Sequence, residues 1–263
     1  MSGATLDSLL RRDQFVVRAA LVALVVASWA YLVYLASAMT TMADMANMAM
    51  PAVQAWNWVE VAALVVMWSV MMVAMMTPSA APMIVMFAAI HRRRVAAGRP
   101  AVATAIFVVG YLVIWTIFSV VAALAQAGLH AAALLSPAMV ATSPLLSGLL
   151  LVVAGVFQWT PLKHTCLATC RSPMSFLMTG WRPGRRGAFM VGLRHGVYCL
   201  GCCWALMALL FVVGVMNLFW VAAIAAVVLL EKVAPGGHFL GRIGGVALVA
   251  AGVLLVFRTI AAS

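Results

Sequence analysis

The chain has 263 residues, of which 67% are hydrophobic and 8% are charged, and its mean hydropathy is +1.16. Because soluble domains contain about 45–50% apolar and about 25% charged residues, this composition excludes a water-soluble globular protein and indicates an integral membrane protein. Sixteen lysines and arginines against five acids give a net charge of +11. We attribute this charge to loops that orient membrane spans, and not to nucleic acid binding. The five cysteines, an odd number, argue against a fully paired disulfide framework.

Apolar stretches long enough to cross a bilayer, about 20 residues each, predict seven spans. They cover approximately residues 16–38, 58–90, 101–127, 145–162, 188–213, 218–233 and 243–260. The second is over-long and is predicted to break near Pro78 and Pro82. The last two could be shorter or partly re-entrant, which leaves six spans as an alternative. The first is longer than the ~7–15-residue core of a signal peptide, so we interpret it as a retained span. The predicted fold is an all-α polytopic transmembrane helical bundle with a single membrane domain, 1–263.

Basic residues predict the orientation of this bundle. The predicted loops at 39–57, 128–144 and 214–217 contain no lysine or arginine, whereas the loops between them are basic. By the positive-inside rule the N-terminus is cytoplasmic. Residues 163–187 then form a basic cytoplasmic loop, and Lys163 and Lys232 count among the cytoplasmic charges. We expect a multi-pass protein of a bacterial-type inner (plasma) membrane, with the lipid bilayer as its first partner.

Methionines are concentrated in the predicted outer loop 39–57. They are Met39, Met42, Met45, Met48 and Met50. Thioethers are soft, neutral ligands that suit Cu(I), so this loop is a candidate capture site for metal. The alternative is an interfacial helix in which methionine serves as adaptable apolar filler.

Span two carries a second group of methionines. They are Met71, Met72, Met75 and Met76. Their spacing gives two adjacent ridges on one helix, which is more typical of a packed or lipid-facing surface than of a ladder of ligands. We keep them as candidate metal ligands because they follow the Met-rich loop.

Cysteines form two groups near spans four and five. Cys166 and Cys170 are four residues apart, so on a helix their sulfurs point to one side, and Lys163 and His164 nearby favour the thiolate form. Ordinary apolar cysteines are the alternative.

The second group consists of Cys199, Cys202 and Cys203, which lie within a sector of about 100° on a helix. We predict that this sector faces the bundle and that Gly201 admits a neighbouring helix. The two groups can share one metal site only if the segment 163–171 folds back into the bundle.

Charged residues in span six are the remaining candidates. Glu231 and Lys232 end that span, and ionisable groups at membrane depth are costly enough to suggest a function. An ion pair of Glu231 with Lys163 or Arg194 that fixes the bundle is an equal alternative. We assign Lys163, His164, Glu231 and Lys232 as residues that support the metal ligands. His195 and His238 are isolated, and a structural role is expected for each.

Together these motifs resemble the family of predicted metal-binding integral membrane proteins called domain of unknown function 2182. The resemblance covers approximately residues 60–235 and is carried by residues 67–78, 82–83, 158–171, 196–207, 214–217 and 231–232. The family's copper-chaperone-like label implies a helical membrane protein that binds metal. The Met-rich loop lies outside the matching region.

The leading hypothesis is a membrane protein that binds Cu(I) for delivery to a membrane cuproenzyme or for transfer across the membrane. The cysteine groups alone would also suit zinc, but the methionines favour copper. We assign no catalytic residue. One alternative is a membrane thiol–disulfide oxidoreductase that passes electrons between cysteine pairs and a quinone. Another is a structural or accessory subunit of a larger membrane complex.

Overall fold

A computed structural model describes residues 3–46, 57–96, 104–136, 140–182 and 184–262. Within these ranges the chain is helical and contains no strand beyond an isolated bridge between Leu135 and Ala141. The helices are α1 (Gly3–Ala46), α2 (Trp58–Ala96), α3 (Thr104–Ala131), α4 (Pro144–Phe157), α5 (Pro161–Arg171), α6 (Pro173–Gly180), α7 (Gly184–Ala208), α8 (Leu210–Val213), α9 (Leu218–Val233) and α10 (Gly237–Ala262). The predicted all-helical class is confirmed.

Five helical segments are long and apolar enough to cross a membrane. They are Phe15–Ala38, Trp58–Arg92, Thr104–Ala131, Gly184–Val213 and Gly237–Ala261. A sixth span is obtained if α4 and α5, which are bent by 61° at a short break, count as one. The sixth predicted segment, 218–233, forms α9, whose 16 residues extend about 24 Å at 1.5 Å per residue. That length is below the ~30 Å of a bilayer core. Among the described residues, five to six helices are therefore long enough to be spans, and the upper number agrees with the six-span alternative.

Helix α2 is continuous through Pro78 and Pro82, so the predicted break is wrong. Both the Tyr111 Oη and the Ser79 Oγ donate hydrogen bonds to the carbonyl of Met76, close to the first proline. The prolines remove the backbone donors for the carbonyls of Ala74 and Pro78, and a membrane helix can continue past such a loss where it is packed against other helices. The unbroken α2 keeps its methionines in line along the core of the protein.

Small residues let the helices approach closely. A Cβ added at Gly192 of α7 would lie 2.1 Å from the carbonyl oxygen of Phe107 in α3. Between α4 and α10, a Cβ at Gly155 would lie 2.8 Å from the carbonyl oxygen of Gly245. Membrane helices associate by such close backbone contact because lipid supplies no hydrophobic driving force between them. The tight α3–α7 pair forms one wall around the cysteines.

Candidate metal centre

The three cysteines of α7 face the interior of the bundle, as their helical spacing predicts. Cys199, Cys202 and Cys203 are buried, with Cys199 fully inaccessible. The thiols of Cys202 and Cys203 donate to the carbonyl oxygen of Cys199 at 3.1 and 2.9 Å. Trp204 and Val197 occupy the opposite, exposed side of the helix. The sulfurs are therefore turned toward neighbouring helices and away from the exposed side of α7.

Helix α5 brings the other two cysteines to the same region. It begins at Pro161, directly after the break that follows α4, and packs against α7 and α9. The Cys166 sulfur lies against Gly201, since a Cβ there would be 2.8 Å from it. The side chains of Cys170 and Cys202 are close enough to interact. The fold-back of 163–171 that a shared site requires is thus present.

Methionine sulfur from α2 reaches this cluster. Met76 Sδ lies 3.9 Å from Cys203 Sγ. Met71, Met72 and Met75 are buried in the same core, each at most 1% exposed. Their burial excludes the lipid-facing alternative and agrees with a packed surface, and Met76 is the methionine of α2 whose sulfur contacts the cysteines.

Two polar residues contact Cys199 directly. The Lys232 Nζ lies 2.9 Å from the Cys199 sulfur and donates to the Ser79 Oγ at 3.1 Å. The Tyr111 Oη is 3.3 Å from the same sulfur. A thiol that can become a thiolate gives the buried ammonium a partner of opposite charge. Tyr111 and Ser79 escaped the sequence analysis, because a single tyrosine or serine in an apolar span has no spacing signal.

Lys163 and Glu231 form an ion pair that joins α5 to α9. Their side chains are 2% and 3% exposed, and the lysine Nζ lies 2.8 and 2.7 Å from the two carboxylate oxygens. The same ammonium donates to Gln158, so all three of its protons have acceptors. The structural alternative, with Lys163 and not Arg194 as the partner, is therefore present. Lys163 and Lys232 are both buried, which corrects their assignment as loop charges.

Arg171 reinforces the same contact between α5 and α9. Its guanidinium donates to the carbonyl oxygens of Glu231 and Ala234. The two carbonyls lie in the last turn of α9 and at the residue that follows it. Carbonyls at a helix C-terminus lack donors within the helix. The arginine thus caps α9 and fixes the position of α5, one residue after Cys170.

The remaining predicted site residues lie elsewhere. His164 lines a surface pocket together with Arg171 and His238, and is not part of the thiol cluster. Helix α1 extends to Ala46, so it includes Met39, Met42 and Met45, whose side chains lie outside the described part of the structure. Met48 and Met50 lie outside the described residues.

All five cysteines are free thiols. Among the described residues, no three histidine, cysteine, aspartate or glutamate side chains are arranged around a common point as a metal site. The arrangement is a set of neighbouring sulfurs, including a thioether, next to a buried cation. Such a set has the chemistry of soft metal ligands and of redox-active thiols.

A family model described as PpoB2, copper chaperone, matches residues 65–255. Comparison with curated proteins and with solved structures finds no match. The matched region begins in α2, before Met71, and ends in α10. It therefore includes all five cysteines and Met76.

Proposed function

The chain belongs to the PpoB2 copper chaperone family, and from this premise we propose that it is a multi-pass membrane protein that carries Cu(I). The ion would bind at the sulfur cluster formed by α2, α5 and α7. From there it would be delivered to a membrane cuproenzyme or passed across the membrane. The observation that carries the proposal is the convergence of cysteine and methionine sulfurs from three helices at one buried place.

The chemistry of the ligands supports Cu(I) as the cargo. Thiolate and thioether sulfur are soft ligands that favour Cu(I), whereas Mg²⁺ and Ca²⁺ require oxygen ligands. The described core around Cys199 offers sulfur from cysteines and from Met76, with Glu231 already engaged by Lys163. Thioethers argue for copper over zinc, and the family match names copper.

The separation of the sulfurs is also suitable. Metal–sulfur bonds are about 2.3 Å long, so two sulfurs 3.9 Å apart, as in Met76 and Cys203, can bind one ion between them. Cys199 and Cys202 lie within one turn of Cys203 on α7. Rotation of the Cys202 and Cys203 thiols away from the Cys199 carbonyl would free both sulfurs as ligands without movement of a helix.

Lys232 supplies the charge that such a site needs. Two thiolates with one Cu(I) carry a net charge of −1, and a buried charge is costly unless it is paired. The ammonium 2.9 Å from Cys199 Sγ offsets that charge. The site is therefore balanced for a monovalent ion bound by two thiolates.

The path of the ion is a further part of the proposal. With the N-terminus in the cytoplasm, α2 enters from the outer side. The methionines between residues 39 and 50 would then capture Cu(I) outside, and Met71, Met72, Met75 and Met76 would lead it to the cysteines. Steps between similar soft ligands keep each transfer nearly balanced in free energy.

The test is elemental analysis of protein purified under reducing, copper-replete conditions. We expect near-stoichiometric copper, which a variant with Cys199, Cys202 and Cys203 changed to serine should lose. Met76→Leu should weaken Cu(I) retention against a competing chelator. Met83→Leu, in an equally buried position on α2, is the matched control and should retain copper as the parent does.

Two results would overturn the proposal. Protein without copper in which the cysteines cycle between thiol and disulfide would indicate the oxidoreductase. Protein without copper or redox change that co-purifies stably with a membrane complex would indicate the accessory subunit.

A further inference from the structure

His195 is a buried histidine with unpaired nitrogens. It lies on α7, is 2% exposed, and neither its Nδ1 nor its Nε2 has a hydrogen-bond partner in the described structure. A buried polar group without a hydrogen-bond partner destabilises a protein, and this imidazole has two such groups. A histidine at this position is therefore an expensive choice for packing alone.

Packing accounts for a flat ring at position 195 but not for its two nitrogens. Aromatic rings of Phe107, Tyr111 and Phe176 surround the imidazole, with centroids 6.0, 5.5 and 5.7 Å away. A phenylalanine would satisfy the same contacts without unpaired nitrogens. The nitrogens thus need a reason other than packing.

The nearest chemistry is the sulfur cluster. His195 precedes Cys199 by four residues on α7, which puts the two side chains on one face with Cβ atoms about 5–6 Å apart. Tyr111 stacks against the imidazole, and its hydroxyl lies 3.3 Å from Cys199 Sγ. The imidazole is therefore the next potential ligand after the thiols, toward the N-terminal end of α7.

We propose that His195 is a nitrogen ligand for the Cu(I) cargo, which it receives from the α7 thiols. This inference rests on the proposed function. Neutral imidazole binds copper well through either ring nitrogen. The step exchanges one copper–sulfur bond for a copper–nitrogen bond, and the ion remains Cu(I), so no oxidant or reductant is required. The site extends the sulfur cluster by one helical turn toward Arg185 and Arg186, the side predicted to be cytoplasmic.

X-ray absorption at the copper edge tests this assignment, on Cu(I)-loaded protein purified without a polyhistidine tag. We expect the parent to show imidazole scattering together with sulfur scattering. His195→Phe, which suits the aromatic surroundings, should lose the imidazole signal and retain sulfur-bound copper. Its transfer of Cu(I) to a soluble chelator should slow at least tenfold. His238→Phe removes an exposed imidazole and is the matched control, with parental spectrum and rate.

A second variant separates a ligand from a packing role. His195→Met keeps a soft ligand at the position, so it should restore most of the transfer rate while the spectrum shows sulfur alone. Parent protein with full copper and only sulfur scattering would overturn the role of His195 and leave the proposed function intact. Parent protein that binds no copper would instead overturn the proposed function.

Discussion

The buried ion pair between Lys163 and Glu231 gives the most quantitative prediction. Both side chains are at most 3% exposed, and the ammonium contacts both carboxylate oxygens. Changing Glu231 to Gln would leave the lysine charge in the core with neutral amides as its partners. Removing one member of a buried pair costs about 3–5 kcal/mol. At about 1.4 kcal/mol per tenfold, the unfolding equilibrium should shift by two to nearly four powers of ten.

The measurement is equilibrium unfolding in detergent–lipid micelles, followed by tryptophan fluorescence. Glu60→Gln makes the same change at an exposed acid that caps α2 through Asn57, and should cost less than about 1 kcal/mol. The double variant Lys163→Met with Glu231→Leu removes both charges and should recover most of the stability, because apolar replacements of a buried pair are often neutral. A single variant as stable as the parent, or a double variant no better than Glu231→Gln, would refute the reasoning.

Three further predictions concern packing, charge and capture. Gly192→Ala puts a Cβ against the Phe107 carbonyl and should lower the unfolding free energy by about 1–3 kcal/mol. The control Gly128→Ala, with open space around it, should be neutral or stabilising by up to about 1 kcal/mol. Equal effects of the two variants in the same unfolding assay would contradict the close α3–α7 contact. Lys232→Met removes a charged hydrogen bond worth about 1.5–3 kcal/mol, so Cu(I) affinity by chelator competition should fall roughly 10–150-fold, and unchanged affinity would exclude its charge-balancing role. Replacing the five methionines between residues 39 and 50 with leucine should change packing by less than about 1.5 kcal/mol per site while Cu(I) uptake falls; uptake equal to that of the parent would exclude capture there.

The sequence by itself determined the local features of this protein. Long apolar runs specify helices because every backbone polar group in a bilayer must be satisfied within its own segment. The period of 3.6 residues was sufficient to place Cys199, Cys202 and Cys203 on one face, and the order of the motifs was sufficient to identify the family. Helix-forming tendency and helical period are properties of neighbouring residues, so a single sequence contains them.

Other local signals were misleading where tertiary contacts outweighed them. Pro78 and Pro82 signal a break, yet α2, which packs against α1 and α3, is continuous through both prolines. The 218–233 segment, by contrast, forms a helix with the predicted bounds.

Only the tertiary structure decided how distant residues meet. The sequence left Lys163 either as a loop charge or as one of two possible partners of Glu231, and the fold-back of α5 decides for burial against that carboxylate, 68 residues away. The same fold-back brings Cys166 to Gly201, and α9 brings Lys232 to Cys199. Tyr111 and His195 acquire chemical meaning only through these contacts. Pairings of this kind depend on which helix faces pack together, and the energy that selects them is spread over the whole bundle, so no local pattern in the sequence encodes them.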